Sequence, residues 1–240
     1  MTLYFIGIGL NDKKDITLKG LEAVKKCEYI YLENYTSILQ TPIENLEKLY
    51  GKNIIPADRE LVEKKAEETI LKNAKTKNTA FLVIGDPLCA TTHIDLMLRA
   101  KKENIPVEII HNASVISAVG ITGLEVYKFG KITSIPFDNK NVKTPIEVYE
   151  MNKKNGLHTL FLLDLNPEEN KFLTIKDAIE YLTNNGVPKD ETFICCARIG
   201  SKNPVIYKGK AKEIIKKDFG NPPYCLIIPG SLHFIEEEAL

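Results

Sequence analysis

Apolar runs of strand length alternate with amphipathic segments through the first half of the chain. The segment 17–27 places apolar residues at helical spacing behind Thr17, a candidate helix cap, and the charged segment 59–75 is predicted to be one solvated helix. Such alternation is typical of a parallel sheet covered by helices. The predicted buried strands of this half are 3–9 (LYFIGIG), 29–33 (YIYLE), 79–85 (TAFLVIG) and 107–110 (VEII).

The pattern changes beyond His111. Residues 112–124 (NASVISAVGITGL) are rich in small side chains, as expected where a chain crosses between domains or packs against a ligand. Further strands with shorter connections follow and predict a mixed sheet. We therefore predict an α/β protein of two α/β domains, a parallel-sheet N-terminal domain at 1–111 and a mixed-sheet C-terminal domain at 112–240.

Composition and charge narrow the class of function. The chain has 240 residues, 44% of them apolar, so it is long enough for a substantial core. Lysine plus arginine and aspartate plus glutamate each number 32, and this balance gives no basic footprint for nucleic acid or an anionic membrane. No apolar run approaches the roughly 18 residues of a membrane span, and the N-terminus lacks the basic leader of a signal peptide. We predict a cytoplasmic protein.

Cysteine and histidine show no metal-binding pattern. The five cysteines are scattered and the four histidines lie far apart in sequence, so we predict reduced thiols and no metal site. His93 follows the predicted strand at 79–85 and opens an apolar helix. We interpret it as a structural histidine with satisfied ring nitrogens, although it adjoins a loop that could bind a ligand.

Ligands of open parallel sheets bind outside the carboxyl ends of the strands. Gly7 and Gly9 begin a dinucleotide-like pattern, but its third glycine is absent, and no phosphate-binding loop or GxSxG elbow occurs in the chain. Asp86 follows a strand directly and is either a turn residue or a carboxylate that faces a cleft. A purine-like ligand without phosphate fits this combination. The candidate loops are 7–20, 85–93, 111–120 and 162–168.

Several of these stretches resemble one family. The chain is similar to the diphthine synthases, which belong to the tetrapyrrole-methylase-like class of S-adenosylmethionine-dependent methyltransferases, and the similarity covers nearly its whole length. The motifs that carry it include YTS (35–37), GDPLCATTH (85–93), AVGITGL (118–124), GLHTLFLLDL (156–165) and NPPYCLII (221–228).

The resemblance implies two α/β domains with the cofactor in the cleft between them, within a homodimer. It implies methyl transfer from S-adenosylmethionine, giving S-adenosylhomocysteine, to the amine of a 3-amino-3-carboxypropyl-histidine on translation elongation factor 2, in diphthamide biosynthesis. A methyltransferase of the same class acting on a tetrapyrrole or rRNA is the alternative.

Matching positions of the family's motifs imply the cofactor contacts. Relatives often carry a small apolar residue where Cys89 stands, and the types vary at Ile199 and Tyr224, so these contacts are expected through the backbone. For Asp86 we add the hypothesis of a catalytic role, in which its carboxylate positions the cofactor electrostatically. The implied cofactor-binding residues are Leu10, Asp86, Cys89, Ser114, Val115, Leu163, Ile199 and Tyr224.

Overall fold

The chain forms two compact units. The computed structural model describes residues 1–240, and it divides into unit 1, Met1–Ile116, and unit 2, Ser117–Leu240. The domain boundary predicted from the sequence, between residues 111 and 112, lies a few residues before this division. None of the helices combines the length and apolar character that a membrane crossing requires.

Unit 1 contains a five-stranded sheet whose strands are all parallel. Its spatial order is β3-β2-β4-β1-β5, and every residue of the central β4 is buried. The strands are β1 (Leu3–Gly7), β2 (Tyr29–Glu33), β3 (Ile55–Ala57), β4 (Thr79–Val83) and β5 (Val107–Ile110). The helices are α1 (Leu18–Lys26), α2 (Ile43–Tyr50), α3 (Arg59–Glu63), α4 (Ile70–Thr76) and α5 (Ile94–Lys102).

Alternating side chains of the strands enter two separate cores, one on each face of this sheet. Phe5 and Phe81 belong to one core and meet edge to face with ring centroids 5.6 Å apart. Ile6 and Leu82, the next residues along the same strands, belong to the other core. At the start of α1 the Thr17 hydroxyl accepts from the Gly20 N–H at 3.0 Å, as the sequence predicted.

The single helix predicted over 59–75 is wrong, because α3 and α4 are separated by the turn at 64–69. The end of α3 is held by a side chain from another helix. Arg99 of α5 donates from Nη1 to the carbonyls of Val62 and Glu63, at 3.3 and 3.0 Å. Carbonyls at a helix end need a partner, and here the guanidinium supplies one without a continued helix.

Unit 2 contains a mixed five-stranded sheet of spatial order β11-β10-β12-β7-β6, in which only β6 and β7 pair in parallel. The parallel and mixed sheets confirm the predicted α/β fold class. The strands are β6 (Thr133–Ile135), β7 (Thr159–Leu163), the hairpin of β8 (Leu165–Asn166) and β9 (Lys171–Phe172), β10 (Thr192–Ala197), β11 (Val205–Lys210) and β12 (Tyr224–Ile228). The helices are α6 (Val115–Ala118), which spans the division, α7 (Thr144–Lys154), α8 (Ile175–Asn184), α9 (Ala211–Ile214) and α10 (Phe234–Ala239).

A buried carboxylate anchors α10 within unit 2. Glu236 is fully buried and accepts hydrogen bonds from the Glu125 N–H at 2.9 Å, the His233 N–H at 2.8 Å and His158 Nε2 at 2.9 Å. Lys128 Nζ also donates to it. Burial alone would raise the pKa of this carboxyl, but the donors together lower it to about 2. Glu236 is therefore ionised in the fold and ties α10 to the segment around residue 125.

Candidate functional site

Three loops follow the carboxyl ends of β4, β1 and β5, which are neighbours in the sheet of unit 1. The loops after β1 and β4 pair through their backbones. The Gly85 N–H donates to the Gly9 carbonyl at 2.8 Å, and the Gly9 N–H donates to the Gly85 carbonyl at 3.3 Å. Both glycines have positive φ, +81° and +82°, a conformation that other residues adopt only with strain. The glycines therefore allow the two loops to run together at the sheet edge.

Asp86 joins the loop after β4 to the loop after β5. Its Oδ2 accepts from His111 Nδ1 at 2.8 Å and from the Asn112 N–H at 3.1 Å, while its Oδ1 accepts from the Leu88 N–H at 2.9 Å. Burial raises the pKa of this carboxyl, but these donors outweigh burial and hold the pKa below its usual value. Asp86, only 3% exposed, is thus a buried carboxylate with both oxygens engaged.

Asn112 completes the connection between the three loops. Its Nδ2 donates to the Gly7 carbonyl at the end of β1 and to the Asp15 carbonyl farther along the same loop, both at 2.9 Å. Asp15 in turn accepts from the Asn11 N–H at 2.7 Å. A single amide side chain therefore fixes the loop after β1 against the start of the loop after β5.

At Gly7 the backbones of the loops come so close that a side chain would not fit between them, whereas Gly85 has more space. A Cβ added at Gly7 would lie 2.5 Å from the Gly85 carbonyl oxygen, so an alanine here would force the loops apart. At Gly85 the added Cβ would lie 3.7 Å from both Leu10 Cδ2 and the Ala113 carbonyl oxygen. Gly85 thus leaves a gap bordered by an apolar methyl group and a backbone acceptor.

The structure places the five site residues predicted in unit 1 on or directly after these three loops, since Val115 begins α6 and the other four lie on the loops themselves. Asp86 and Ser114 are buried, whereas Leu10, Cys89 and Val115 are half-buried. Burial and the charge of Asp86 raise the pKa of the Cys89 thiol, which also hydrogen-bonds with Ser114. Cys89 is therefore a neutral thiol, unsuited to act as a thiolate nucleophile.

The three site residues predicted in unit 2 gather at one edge of the mixed sheet. Leu163 ends β7, Tyr224 begins the adjacent β12, and Ile199 follows the end of β10, whose Ala197 pairs with Tyr224. The Arg198 N–H donates to the carbonyl of Pro223 at 2.9 Å and links the segment that carries Ile199 to the start of β12.

Sequence reasoning missed two polar residues of unit 1. Asn112 was inside a candidate loop, but its bonds to two other loops depend on the fold. Glu33 ends β2 and is fully buried, accepting from the N–H groups of Tyr35 and Thr36 at 2.8 and 2.5 Å. A carboxylate as the last residue of an apolar strand was the available signal, close to the one that singled out Asp86.

Comparison with known proteins places this architecture in a class. The model of the tetrapyrrole (corrin/porphyrin) methylases matches residues 2–215. The chain belongs to this family, and within it to the diphthine synthases, since its relatives of that name match it over nearly their whole lengths.

Two relatives and one solved structure illustrate the match. Diphthine synthase of Methanococcus maripaludis (strain C5) is 45% identical over 99% of this chain and 97% of its own length. Diphthine methyl ester synthase of Dictyostelium discoideum is 43% identical over 99% of this chain and 96% of its own length. A crystal structure of diphthine synthase superposes with a TM-score of 0.93 at 36% identity, covering 100% of this chain and 94% of its own. The resemblance stated from the sequence is confirmed.

Family membership makes the chain a methyltransferase of diphthamide biosynthesis that uses a methyl-donor cofactor. The three loops of unit 1 offer groups that such a methyl-donor cofactor can contact. Leu10 Cδ2 and the Ala113 carbonyl oxygen lie beside the Gly85 backbone, where they offer an apolar contact and a hydrogen-bond acceptor.

Proposed function

We propose that this chain transfers methyl groups from S-adenosylmethionine to the amine of 3-amino-3-carboxypropyl-histidine on translation elongation factor 2. The products are diphthine and S-adenosylhomocysteine. The observation that carries the proposal is the 45% identity to a diphthine synthase over 99% of this chain, which includes every loop of the candidate site.

Leu10, the Gly85 backbone and the Ala113 carbonyl are proposed to hold the cofactor. S-adenosylmethionine supplies an electrophilic methyl group on a positively charged sulfur. The loops that would hold it are connected in advance through Asp86 and Asn112, so little backbone freedom is lost on binding. In unit 2, Leu163, Ile199 and Tyr224 are proposed as further contacts.

Asp86 is proposed to act mainly through the loops that it connects. Both of its oxygens already accept hydrogen bonds, so it is a positioning residue. Its lowered pKa keeps a negative charge at this edge of the sheet, which favours a cationic cofactor nearby. This role accounts for a carboxylate at the end of β4 better than a local turn alone, since two of its donors lie on the loop after β5.

Positioning is the main source of rate in this proposal. Displacement at a methyl carbon requires the amine, the carbon and the sulfur in line, and holding two reactants in such geometry is worth up to about 7–11 kcal/mol. The amine must also be unprotonated, and burial of the amine against the protein lowers its pKa in the required direction.

A homodimer is proposed from exposed apolar side chains of unit 2. Tyr127, Phe234 and Ile235 are 80%, 62% and 52% exposed, and the segment of Tyr127 is bonded to α10 through Glu236. Large exposed apolar side chains on two segments that are bonded to each other favour a protein partner. A cytoplasmic location, where elongation factor 2 works, completes the proposal.

Two measurements on the same preparation test the proposal. Calorimetry is expected to detect S-adenosylmethionine binding, and methyl transfer to elongation factor 2 bearing the unmethylated modification is expected to follow. Asp86→Asn should weaken both, whereas Asp190→Asn, at an exposed position of unit 2, should leave both unchanged. Cofactor binding with transfer to a tetrapyrrole or to rRNA, and none to the factor, would replace the proposed substrate by the alternative.

A further inference from the structure

A separate cleft of unit 1, of about 350 Å³, lies beside α3 and α5. Val62 and Leu96 form apolar parts of its wall, and Tyr35 and His93 also line it. We call it the Tyr35–His93 pocket. Its volume is at the lower end of the range of small-molecule sites, roughly 300–1,000 Å³.

His93 is buried in this pocket without a side-chain hydrogen-bond partner. The side chain is 2% exposed, its ring meets Phe81 edge to face with centroids 5.1 Å apart, and neither ring nitrogen has a hydrogen bond of good geometry, although the Pro87 carbonyl interacts with the ring. The ring is buried among aromatic side chains, as the structural interpretation predicts, but the satisfied ring nitrogens that it assumes are not found. A buried polar group without partners is costly, and in native proteins it marks a place where a ligand or another group binds.

The protonation of His93 defines what it can recognise. Burial lowers the pKa of the ring to about 4, although the nearby Pro87 carbonyl partly counteracts this effect. The ring is therefore neutral at physiological pH, with one nitrogen that donates and one that accepts. Its accepting nitrogen can receive an N–H from an amine.

The rim of the pocket carries opposite charges. Glu63 and Asp95 line it, and each pairs with an arginine beside the pocket. Arg99 contacts Asp95 at 3.2 Å and Glu67 at 2.8 Å, and Arg59 contacts Glu63 at 3.8 Å. Three carboxylates thus meet two guanidinium groups, and the excess negative charge favours a cationic group in the pocket.

The pocket adjoins the candidate cofactor loops. The backbone N–H of His93 donates to Thr91 Oγ1 at 3.0 Å, and the Thr91 hydroxyl donates to the Pro87 carbonyl at 3.4 Å. Pro87 directly follows Asp86. A group bound by His93 would therefore lie next to the loop that we propose to hold the methyl donor.

We infer that the Tyr35–His93 pocket binds the amine at the amino acid end of the substrate side chain. His93 accepts a hydrogen bond from the amine, and Glu63 and Asp95 on the rim attract the amine in its charged form before it loses its proton. The inference rests on the proposed function, since it assigns to that reaction the place of its acceptor group.

Kinetics of matched variants test the inference. His93→Phe keeps an aromatic ring against Phe81 but removes both nitrogens, and His93→Gln restores a donor and an acceptor. We expect His93→Phe to fold, to bind S-adenosylmethionine as wild type does, and to raise KM for the modified elongation factor about tenfold or more, the loss of one hydrogen bond to a buried group. His93→Gln should recover part of this loss.

Tyr50→Phe is the control, because it also removes a buried unpartnered polar atom, in the core on the other face of the sheet. It should leave KM unchanged. An unchanged KM in His93→Phe would overturn the inference. A decrease in cofactor affinity as large as the increase in KM would also overturn it, because it would indicate a general structural role for His93.

A direct binding measurement separates this inference from the proposed function. The chain has four histidines, so the ring nitrogen NMR signals of His93 can be assigned by comparison with His93→Phe. Addition of L-2-aminobutyrate, an amino acid resembling the end of the modification, should shift the His93 signals alone. A shift of the His93 signals without methylation of elongation factor 2 would support the pocket and contradict the proposed substrate. No shift up to the solubility limit of L-2-aminobutyrate would contradict the pocket.

Discussion

Acidification should destabilise unit 1 through His93. The fold lowers the pKa of this ring from the ordinary 6.5 to about 4, so the unfolded chain takes up a proton at a pH where the folded chain does not. The stability contributed by the neutral ring is complete above about pH 6.5 and is lost as the pH falls from there towards 4. At about 1.4 kcal/mol per pKa unit, the full loss is roughly 3 to 4 kcal/mol, and most of it has occurred by about pH 4.5.

Comparison of wild type with His93→Phe isolates this contribution. Other groups that titrate between about pH 7 and 4.5 are present in both proteins, so their effects cancel in the difference. Because each unit has its own core, hydrogen exchange of the β4 amides reports on unit 1. The free energy of opening in wild type should fall by roughly 2 to 3 kcal/mol more than in the variant.

At about pH 7 the variant should be at least as stable as wild type, because it buries no unpartnered nitrogen. Equal losses in the two proteins on acidification would refute the reasoning, since they would mean that the His93 ring is protonated in the fold or has a partner there. Tyr50→Phe should follow wild type at both pH values.

Three further predictions concern other positions. Glu236→Gln should lower the free energy of unfolding of unit 2 by about 1.5–3 kcal/mol in urea denaturation, because Lys128 loses a charged partner; equal stability would contradict the anchoring of α10. Gly7→Ala should lower the melting temperature and weaken cofactor binding by calorimetry, because its Cβ would approach the Gly85 carbonyl to 2.5 Å; an unchanged affinity would show that the loops can separate without consequence. Asp86→Asn should reduce kcat/KM for methyl transfer about tenfold or more, and wild-type kinetics would return this residue to a local turn role.

Much of the fold follows from local patterns in the sequence. The continuous apolar run of β4 has no polar face, so it predicts a strand buried on both sides and hence a parallel sheet. Parallel strands end at one edge, so the position of Asp86 directly after this run is enough to make it a candidate site residue. Thr17 was predictable for the same kind of reason, since an N-cap depends on neighbours within one turn.

Long-range contacts were not predictable. The break between α3 and α4 depends on Arg99, which lies 36 residues beyond Glu63 in the chain. Asn112 bonds to a carbonyl 105 residues earlier, and Glu236 accepts from an N–H 111 residues earlier. No periodicity or spacing rule encodes such pairs, because the partners are brought together only by the fold.

His93 illustrates how a local interpretation fails in part. A histidine on an apolar helix face is usually hydrogen-bonded, and the sequence offered no sign that its partners would be missing. The absence of partners arises from the aromatic surroundings of Phe81 and Tyr35, which come from different parts of the chain.

The most direct test of the proposed function is mass spectrometry of translation elongation factor 2 carrying the unmethylated 3-amino-3-carboxypropyl-histidine, after incubation with this protein and S-adenosylmethionine. We predict mass gains in whole methyl units, confined to that histidine, with a matching release of S-adenosylhomocysteine. An unchanged mass, in a reaction where the protein demonstrably binds the cofactor, would contradict the proposed function.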